Sequence, residues 1–442
     1  MRGLKKVAAI RLSLPGQSRL LLILFFMGII TGLQAQKKND SVPRNVPCQP
    51  RDIQEVLFRK SQKPSDTTRK FNFFLLPYLA YSPTKGFQLG GGGTFTWYVG
   101  KSHVTNQSAA SAGVEFTTNE QQLYQFKSNI YADKNRWFLQ GDWRYYSYNI
   151  PSYGLGSGKT YPFPPYPDQP HDSTGAPEWD QAYPVKFQWL RIHEIVSYRF
   201  TKNLYAGLGY HLDYHYKIND KYLRTDSADY YMTPHYVYSK LHAFDPKHYI
   251  ASGLSLNFVY DTRDNLINPY KGYYVTVNYR VNQKWLGSSK DGSQLWAEFR
   301  TYVGLEKKLP RHLLAFWLYG GFQLSGQIPY FDLWATGFDQ MNSSGRGFLQ
   351  GRWRGENLVY GEMEYRFPIS RCSQVLGGVV FLNLSTASAK DQGIRLFSFV
   401  RPAGGAGIRI MVSKQNRTNI LIDFTLGQDM APGVYFSAQE AF

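Results

Sequence analysis

The 442 residues are 43% hydrophobic, and 17% are aromatic, with 34 Tyr, 29 Phe and 10 Trp beside 40 Gly. Mean hydropathy is nevertheless −0.40; that much aromatic and glycine with modest aliphatic content is unlike an ordinary soluble α/β enzyme and fits a β-rich wall with aromatic belts. The formal charge of +18 would suit a nucleic-acid surface. In an exported chain, arginine and lysine lining a polar lumen or meeting anionic headgroups suit it better, and no nucleic-acid partner is expected.

The N-terminus points to export. Arg2, Lys5, Lys6, Arg11 and Arg19 come with no acidic residue, Leu20–Ile30 is an apolar run of eleven, and Thr31–Gln36 supplies small residues. This is the order of a secretory signal over 1–35, with Ala35 the last residue removed. An eleven-residue run is too short for a retained anchor, since a spanning helix needs about 20. Without the five signal charges the balance is +13. Residues 36–70, with Pro43, Pro47, Pro50 and Pro64, read as a short periplasmic tail with one or two helical turns at Asp52–Lys60. No later stretch approaches a spanning helix, so a spanning structure must be a barrel. An oxidising compartment permits a Cys48–Cys372 disulfide; two free thiols fit equally.

From Phe71 onward two-residue periodicity dominates. In Gly272–Val281, Tyr273, Val275, Val277, Tyr279 and Val281 share one face, opposite Thr276, Asn278 and Arg280. An apolar band opposed by charges is what a lipid-facing barrel strand requires; a soluble sandwich would oppose fewer charges with shorter strands. The periodicity predicts strands at 71–81, 86–99, 107–118, 121–132, 135–149, 187–201, 203–216 and 248–262. A second set follows at 270–285, 293–307, 311–325, 356–369, 374–386, 395–412, 416–427 and 432–442. The expected fold is therefore all-β: a transmembrane antiparallel barrel of sixteen strands over 71–442. Its connections alternate in length. Those at 133–135, 201–203 and 308–310 are short, as periplasmic turns are, and those at 153–186, 217–247 and 326–355 are long, as outer loops are.

The sixth outer loop holds Gly345-Arg346-Gly347-Phe348, within Ser344–Ile369 (SGRGFLQGRWRGENLVYGEMEYRFPI). Glycine lets the backbone take φ > 0 and approach other chain closely, and arginine offers a planar fork to a carboxylate. This segment resembles the sixth outer loop and following strand of the bacterial surface antigen family, the outer-membrane insertases and secretion pores of the BamA/TamA kind. The family's hallmark is an aliphatic-Arg-Gly-aromatic loop tip folded into the lumen. Gly345 replaces the aliphatic residue, which should make the tip looser. A lumenal Arg346 needs a carboxylate, because an unpaired charge away from water is costly. Glu364 is the first candidate and Glu362 the second. The family's aspartate in the next strand is Asn383 here, which implies a weaker lock.

Other stretches carry the resemblance too. Tyr260–Tyr273 (YDTRDNLINPYKGY) resembles a family turn in which Asp261, Arg263 and Asp264 pair among themselves while Pro269 and Gly272 restart the next strand. Leu76–Gly90 resembles the opening hairpin. Pro77 removes a ladder donor from the first strand and should weaken the seam with the last. Gly433–Phe442 (GVYFSAQEAF), with Phe436 and Phe442 on one face, resembles the C-terminal assembly signal of barrel proteins; Glu440 on that face departs from it.

No catalytic set appears: Gly154–Thr160 lacks the first glycine of a phosphate loop, and no nucleophile elbow, zinc helix or Cys-x-x-Cys is present. His211, His215, His235, His242 and His248 gather around the fourth outer loop, where solvated histidines are the default over a metal site. No enzyme activity, cofactor or metal is expected. The resemblance implies a barrel in the outer membrane of a Gram-negative bacterium. Its partners would be outer-membrane lipid, and client outer-membrane proteins or a separate periplasmic or membrane subunit. The role implied is protein or lipid insertion or translocation; the alternative is a ligand-binding or transport barrel with no assembly role. The tail is too short for the family's periplasmic repeat domains.

Overall fold

The structure is a computed structural model that describes residues 50–58, 71–82, 85–100, 104–158, 182–225, 231–414, 417–427, 433–437 and 440–442. The expected signal at 1–35, most of the expected tail and Cys48 lie outside the described residues. Sixteen strands form one antiparallel sheet in which each pairs with its neighbours in sequence, as the periodicity predicts. They are β1 (Phe71–Ser82), β2 (Gly86–Trp97), β3 (Ser108–Thr117), β4 (Gln122–Ala132), β5 (Trp137–Ser152), β6 (Tyr183–Thr201), β7 (Leu204–Asp220) and β8 (Tyr249–Asp261). The second half comprises β9 (Gly272–Asn282), β10 (Gly292–Gly304), β11 (Leu313–Gly326), β12 (Asn357–Pro368), β13 (Leu376–Ala387), β14 (Arg401–Ser413), β15 (Thr418–Gly427) and β16 (Gly433–Ser437).

The sheet is inside-out relative to a soluble sandwich. Glu298, Arg300, Glu362, Glu364, Arg366, Arg409 and Asp423 are all buried, whereas Leu79, Phe200, Leu208 and Leu426 are between 63% and 75% exposed. Such an outward face is stable only against lipid, where a strand must give every backbone polar group to a neighbour. Among the described residues no helix is long and apolar enough to cross a membrane; the strands do so. β1 and β16 lie against each other, but no ladder joins them among the described residues.

Several strand limits differ from the sequence reading, β6 beginning at Tyr183 rather than 187 and β7 ending at Asp220 rather than 216; two others differ for local reasons. β14 begins at Arg401 rather than 395, because the preceding segment holds a 3-10 turn at Lys390–Gln392 and Phe397 at φ +67°. β16 ends at Ser437, and Glu440–Phe442 belong to no strand. The tail contributes α1 (Ile53–Phe58), opened by a capping box in which the Glu55 amide donates to Asp52 Oδ1 at 3.1 Å and the Asp52 amide to Glu55 Oε2 at 3.4 Å. The helix is tied to two turns: the Arg51 amide donates to Ser373 O at 2.7 Å, and Lys414 pairs with Glu55 at 2.6 Å. Cys372 is disulfide-bonded.

Candidate functional site: the lumenal loop and the seam

The connection between β11 and β12 runs over residues 327–356 and folds against the charged face of the sheet. It closes on itself through a two-residue ladder, Trp334–Ala335 with Arg354–Gly355. Arg354 Nη1 donates to the carbonyls of Tyr330, Phe331 and Leu333 at 3.1, 3.2 and 3.1 Å. Asp339 gathers the next turn by accepting from the Met341 amide at 2.8 Å and from the Ser344 amide at 2.9 Å. The loop reaches strands far apart in sequence. Arg144 of β5 donates to Asn342 at 2.8 Å, Gln294 of β10 to Asp332 O at 3.1 Å, and Tyr435 of β16 to Phe348 O at 3.1 Å.

At its tip Gly345 has φ +77° and Gly347 φ +96°. A Cβ at 347 would meet Ala403 Cβ at 2.8 Å, and one at 345 would meet Thr336 Cβ at 2.9 Å. Gly345 therefore tightens the tip rather than loosening it, because an aliphatic residue there would strain both backbone and contact. Arg346, 4% exposed, donates from Nη1 to Asp423 at 2.6 Å and from Nη2 to Glu362 and Glu364. Its guanidinium lies 3.7 Å from the centroid of the Phe381 ring. Asn383 donates to the Arg346 carbonyl at 2.8 Å, so it holds the tip backbone, not the charge. The charge that Asn383 lacks is supplied by Asp423 from β15, which sequence reasoning missed. Only its buried parity on an otherwise Ile- and Leu-rich strand marked it.

The cluster extends to the C-terminus. Glu364 also accepts from Arg366 at 2.6 Å, Arg409 bonds Asp423, and Arg409 Nε donates to Glu440 at 2.8 Å. Asn419 donates to the other Glu440 oxygen at 2.7 Å, Arg366 to Phe442 O at 3.1 Å, and Ser343 of the loop to Ala441 O at 2.6 Å. The Phe442 ring is buried, 5.3 Å from Trp317. The expectation that Phe442 shares one face with Phe436 is thus corrected. Phe436 is 45% exposed on β16, whereas Glu440, Ala441 and Phe442 are buried. Glu440, out of place on a lipid-facing strand, faces Arg409 and needs to be acidic.

The remaining sequence-marked residues lie elsewhere. Asp261 pairs with Arg263 at 2.7 Å, but Asp264 does not join them: it pairs with Arg417 of the β14–β15 turn at 2.8 Å and accepts the Tyr270 amide at 2.9 Å. Gly272 has φ +106°, and a Cβ there would meet Thr262 O at 2.4 Å; Pro269 precedes it in the same turn. Pro77 stands opposite Gly91 in the β1–β2 ladder. Burial alone pushes the Asp264 carboxyl up, but the Arg417 and Tyr270 bonds outweigh it and the net shift is downward. Stability from this group is therefore present above the ordinary aspartate pKa of about 3.9 and is lost as pH falls through the lower folded value. The protection of the Tyr270 amide, its intrinsic exchange rate divided by the observed rate at the same pH, is expected to fall on acidification below about pH 4 and to lose that dependence in Asp264→Asn. An unchanged acid response in the variant would refute the assignment.

The five histidines do not converge: among the described residues no three metal-ligating groups come together. His211 meets Ser255 at 2.7 Å, His242 meets Asp391 at 2.7 Å and His248 meets Asp245 at 3.2 Å. The connection between β7 and β8 carries α2 (Pro234–Leu241). There Asp220, His235 and Ser239 line up as in a hydrolytic relay, at 2.7 and 3.4 Å. His235 and Ser239 are fully buried, and Phe331 stacks on the imidazole at 4.9 Å. The trio packs one loop against another and leaves no approach for a substrate.

Residues 88–414 match the Omp85 superfamily domain. The chain belongs to that superfamily. It is an Omp85-family outer-membrane barrel. Among solved structures it is similar to BamA from Haemophilus ducreyi lacking POTRA domains 1-3, at 15% identity and a TM-score of 0.51, over 83% of this chain and 69% of that one. CdiB from Acinetobacter baumannii gives 12% and 0.47 over 83% and 59%; CdiB from Escherichia coli gives 10% and 0.47 over 84% and 61%. No curated protein matches.

Proposed function

We propose that this Omp85 barrel assists the insertion or translocation of other chains at the outer membrane, with the β1–β16 seam as the working edge. The observation that carries this reading is the imbalance at the seam among the described residues: β1 runs for 12 residues and β16 for 5. Among the described residues β15 pairs with β16 from Leu421 to Thr425. β2, which holds β1 from the other side, contains Gly90–Gly93, a run that packs nothing and lowers strand stability. Pro77 takes a further donor from β1. The lumenal loop meets this edge through Tyr435, so its seating bears on how firmly β16 is held.

The test is a disulfide across the seam, joining a cysteine within Phe73–Leu79 to one within Val434–Phe436. Oxidation is expected to lower the levels of client outer-membrane proteins and slow growth, with recovery on reduction. Unchanged client levels in a fully cross-linked strain would defeat the proposal. A binding or transport barrel is the second reading, favoured by a cavity of about 200 Å³ between the loop and the wall, lined among others by Arg191, His193, Asp213, Trp296 and Trp334. It predicts conductance or ligand uptake in reconstituted bilayers, unaffected by the seam disulfide.

A further inference from the structure

On β6, Arg191 and His193 point into the lumen and each bonds Asp213 at 2.8 Å. Glu194 alternates with them and points outward, in one row with Ile192 and the 46%-exposed Val196. Its cross-strand partners are Gly141 of β5 and the outward-facing Tyr210 of β7. Aromatic residues on either side fix its depth. Toward the periplasmic turn, Tyr198 of β6 pairs with Trp137 of β5, their rings 5.0 Å apart. Toward the long loops, Leu190 of β6 lies between Tyr145 of β5 and Tyr214 of β7. Tyr145 is 6.0 Å from Tyr124, and Tyr214 stacks on Tyr216 at 4.7 Å. Outward aromatics at two levels are the interfacial belts of a barrel. Glu194 is four residues from Leu190 and four from Tyr198, and four residues of a strand tilted by about 40° rise roughly 10 Å. It therefore stands midway through an apolar band about 25 Å tall.

The wall makes room for it there. Gly141 has no side chain, and a Cβ at that position would meet Glu194 Oε1 at 3.0 Å and Ser128 Oγ at 2.8 Å. The carboxyl group thus lies across β5, where Oε1 accepts from Trp143 Nε1 at 2.5 Å. Trp143 is itself 49% exposed on the lipid-facing side. The Tyr210 hydroxyl bonds Ser252 at 3.1 Å instead of Glu194. Oε2 has no partner among the described residues. β4 to β8 are described throughout at this depth, and their outward residues between the two belts include no Lys, Arg or His.

We propose that this face docks a membrane-spanning segment of a different protein, one that presents an arginine or lysine to Glu194 at half depth. An ionisable side chain facing hydrocarbon is costly and marks a contact made within the membrane. Charge complementarity selects the occupant. Lipid carries its cationic groups on headgroups, at the level of the belts and roughly 10 Å away. A second copy of this chain docked through the same face would bring a second carboxyl group and no base. A different chain with a lipid-facing base supplies what both lack. The face is five strands from β1, so the contact leaves the seam free and does not rest on any insertion activity.

In the full chain in its native membranes, benzoylphenylalanine replaces Leu208, which is 68% exposed on the strand next to Glu194. Adducts formed on irradiation are mapped by peptide mass spectrometry. The expected adduct joins a spanning segment of another protein, close to an arginine or lysine of that segment. E194L should lower its yield on the order of tenfold and keep the parent's heat-modifiable migration, since leucine suits a lipid-facing position. Substituting Glu for the mapped base should lower the yield with the parent and restore it with E194K. Equal yield in E194L and parent would overturn the proposal. So would an adduct to lipid alone, within this chain, between two differently tagged copies of it, or to a segment that carries no base.

Discussion

Arg346→Ala is expected to free the lumenal loop, so that protease cleaves within residues 327–356 of the folded barrel while the parent resists. The reason is electrostatic. Glu362, Glu364 and Asp423 converge on one guanidinium, and removing it leaves three buried carboxylates facing one another. Breaking a buried charge cluster from one side costs about 3–5 kcal/mol. The lost contact with Phe381 adds to this. Arg346→Lys should rescue little, since a point ammonium cannot bridge three acceptors that a planar fork reaches from two nitrogens. Glu364→Ala should do much less than Arg346→Ala, because Glu362 and Asp423 still hold the arginine. The sequence reading, which saw no second strand supplying an acid, placed most of the weight on Glu364. A loop equally protected in Arg346→Ala and parent would show that the cluster does not seat it.

The wall was readable because its chemistry repeats. Each strand states its two faces within a few residues, and lipid on one side with charge on the other leaves little room for a second interpretation. The lumen was readable only in part. Gly345 to Phe348 announced a tight, charged tip, and Glu362 and Glu364 lie one connection away on β12. Asp423 lies a further three strands on, and only barrel curvature brings β15 back to the loop. Asp264 was paired with its sequence neighbours for the same reason, when its partner Arg417 comes from a turn that the closing sheet places beside it. The C-terminus misled because alternation continues past Ser437. Val434, Phe436 and Phe442 keep the period of an outward face, yet Glu440, Ala441 and Phe442 are buried. The one dissonant residue, an acid on an apolar face, was the signal.

That dissonance makes the C-terminal tripeptide the second place where a small change should have a large effect. Phe442→Ala would empty a site walled by Trp317 and Tyr302, and truncating a buried Phe costs about 3–5 kcal/mol. Deleting Glu440–Phe442 would also leave Arg409 without one acid, Arg366 without the Phe442 carbonyl, and Ser343 without its acceptor at Ala441. Because Ser343 belongs to the lumenal loop, deletion is expected to expose that loop to protease as well as lower the unfolding midpoint. Loss of protein in cells cannot distinguish this from failed assembly, since Gly433–Phe442 also resembles an assembly signal. Refolding purified variants from urea into micelles removes that ambiguity, because no cellular factor is present. There, Phe442→Ala and the deletion should fold less stably than the parent, whereas Phe436→Ala, on the lipid-facing strand, should matter less. If refolded Phe442→Ala matched the parent in both midpoint and loop protection, the residue would act only as a signal. The inward turn would then hold nothing together.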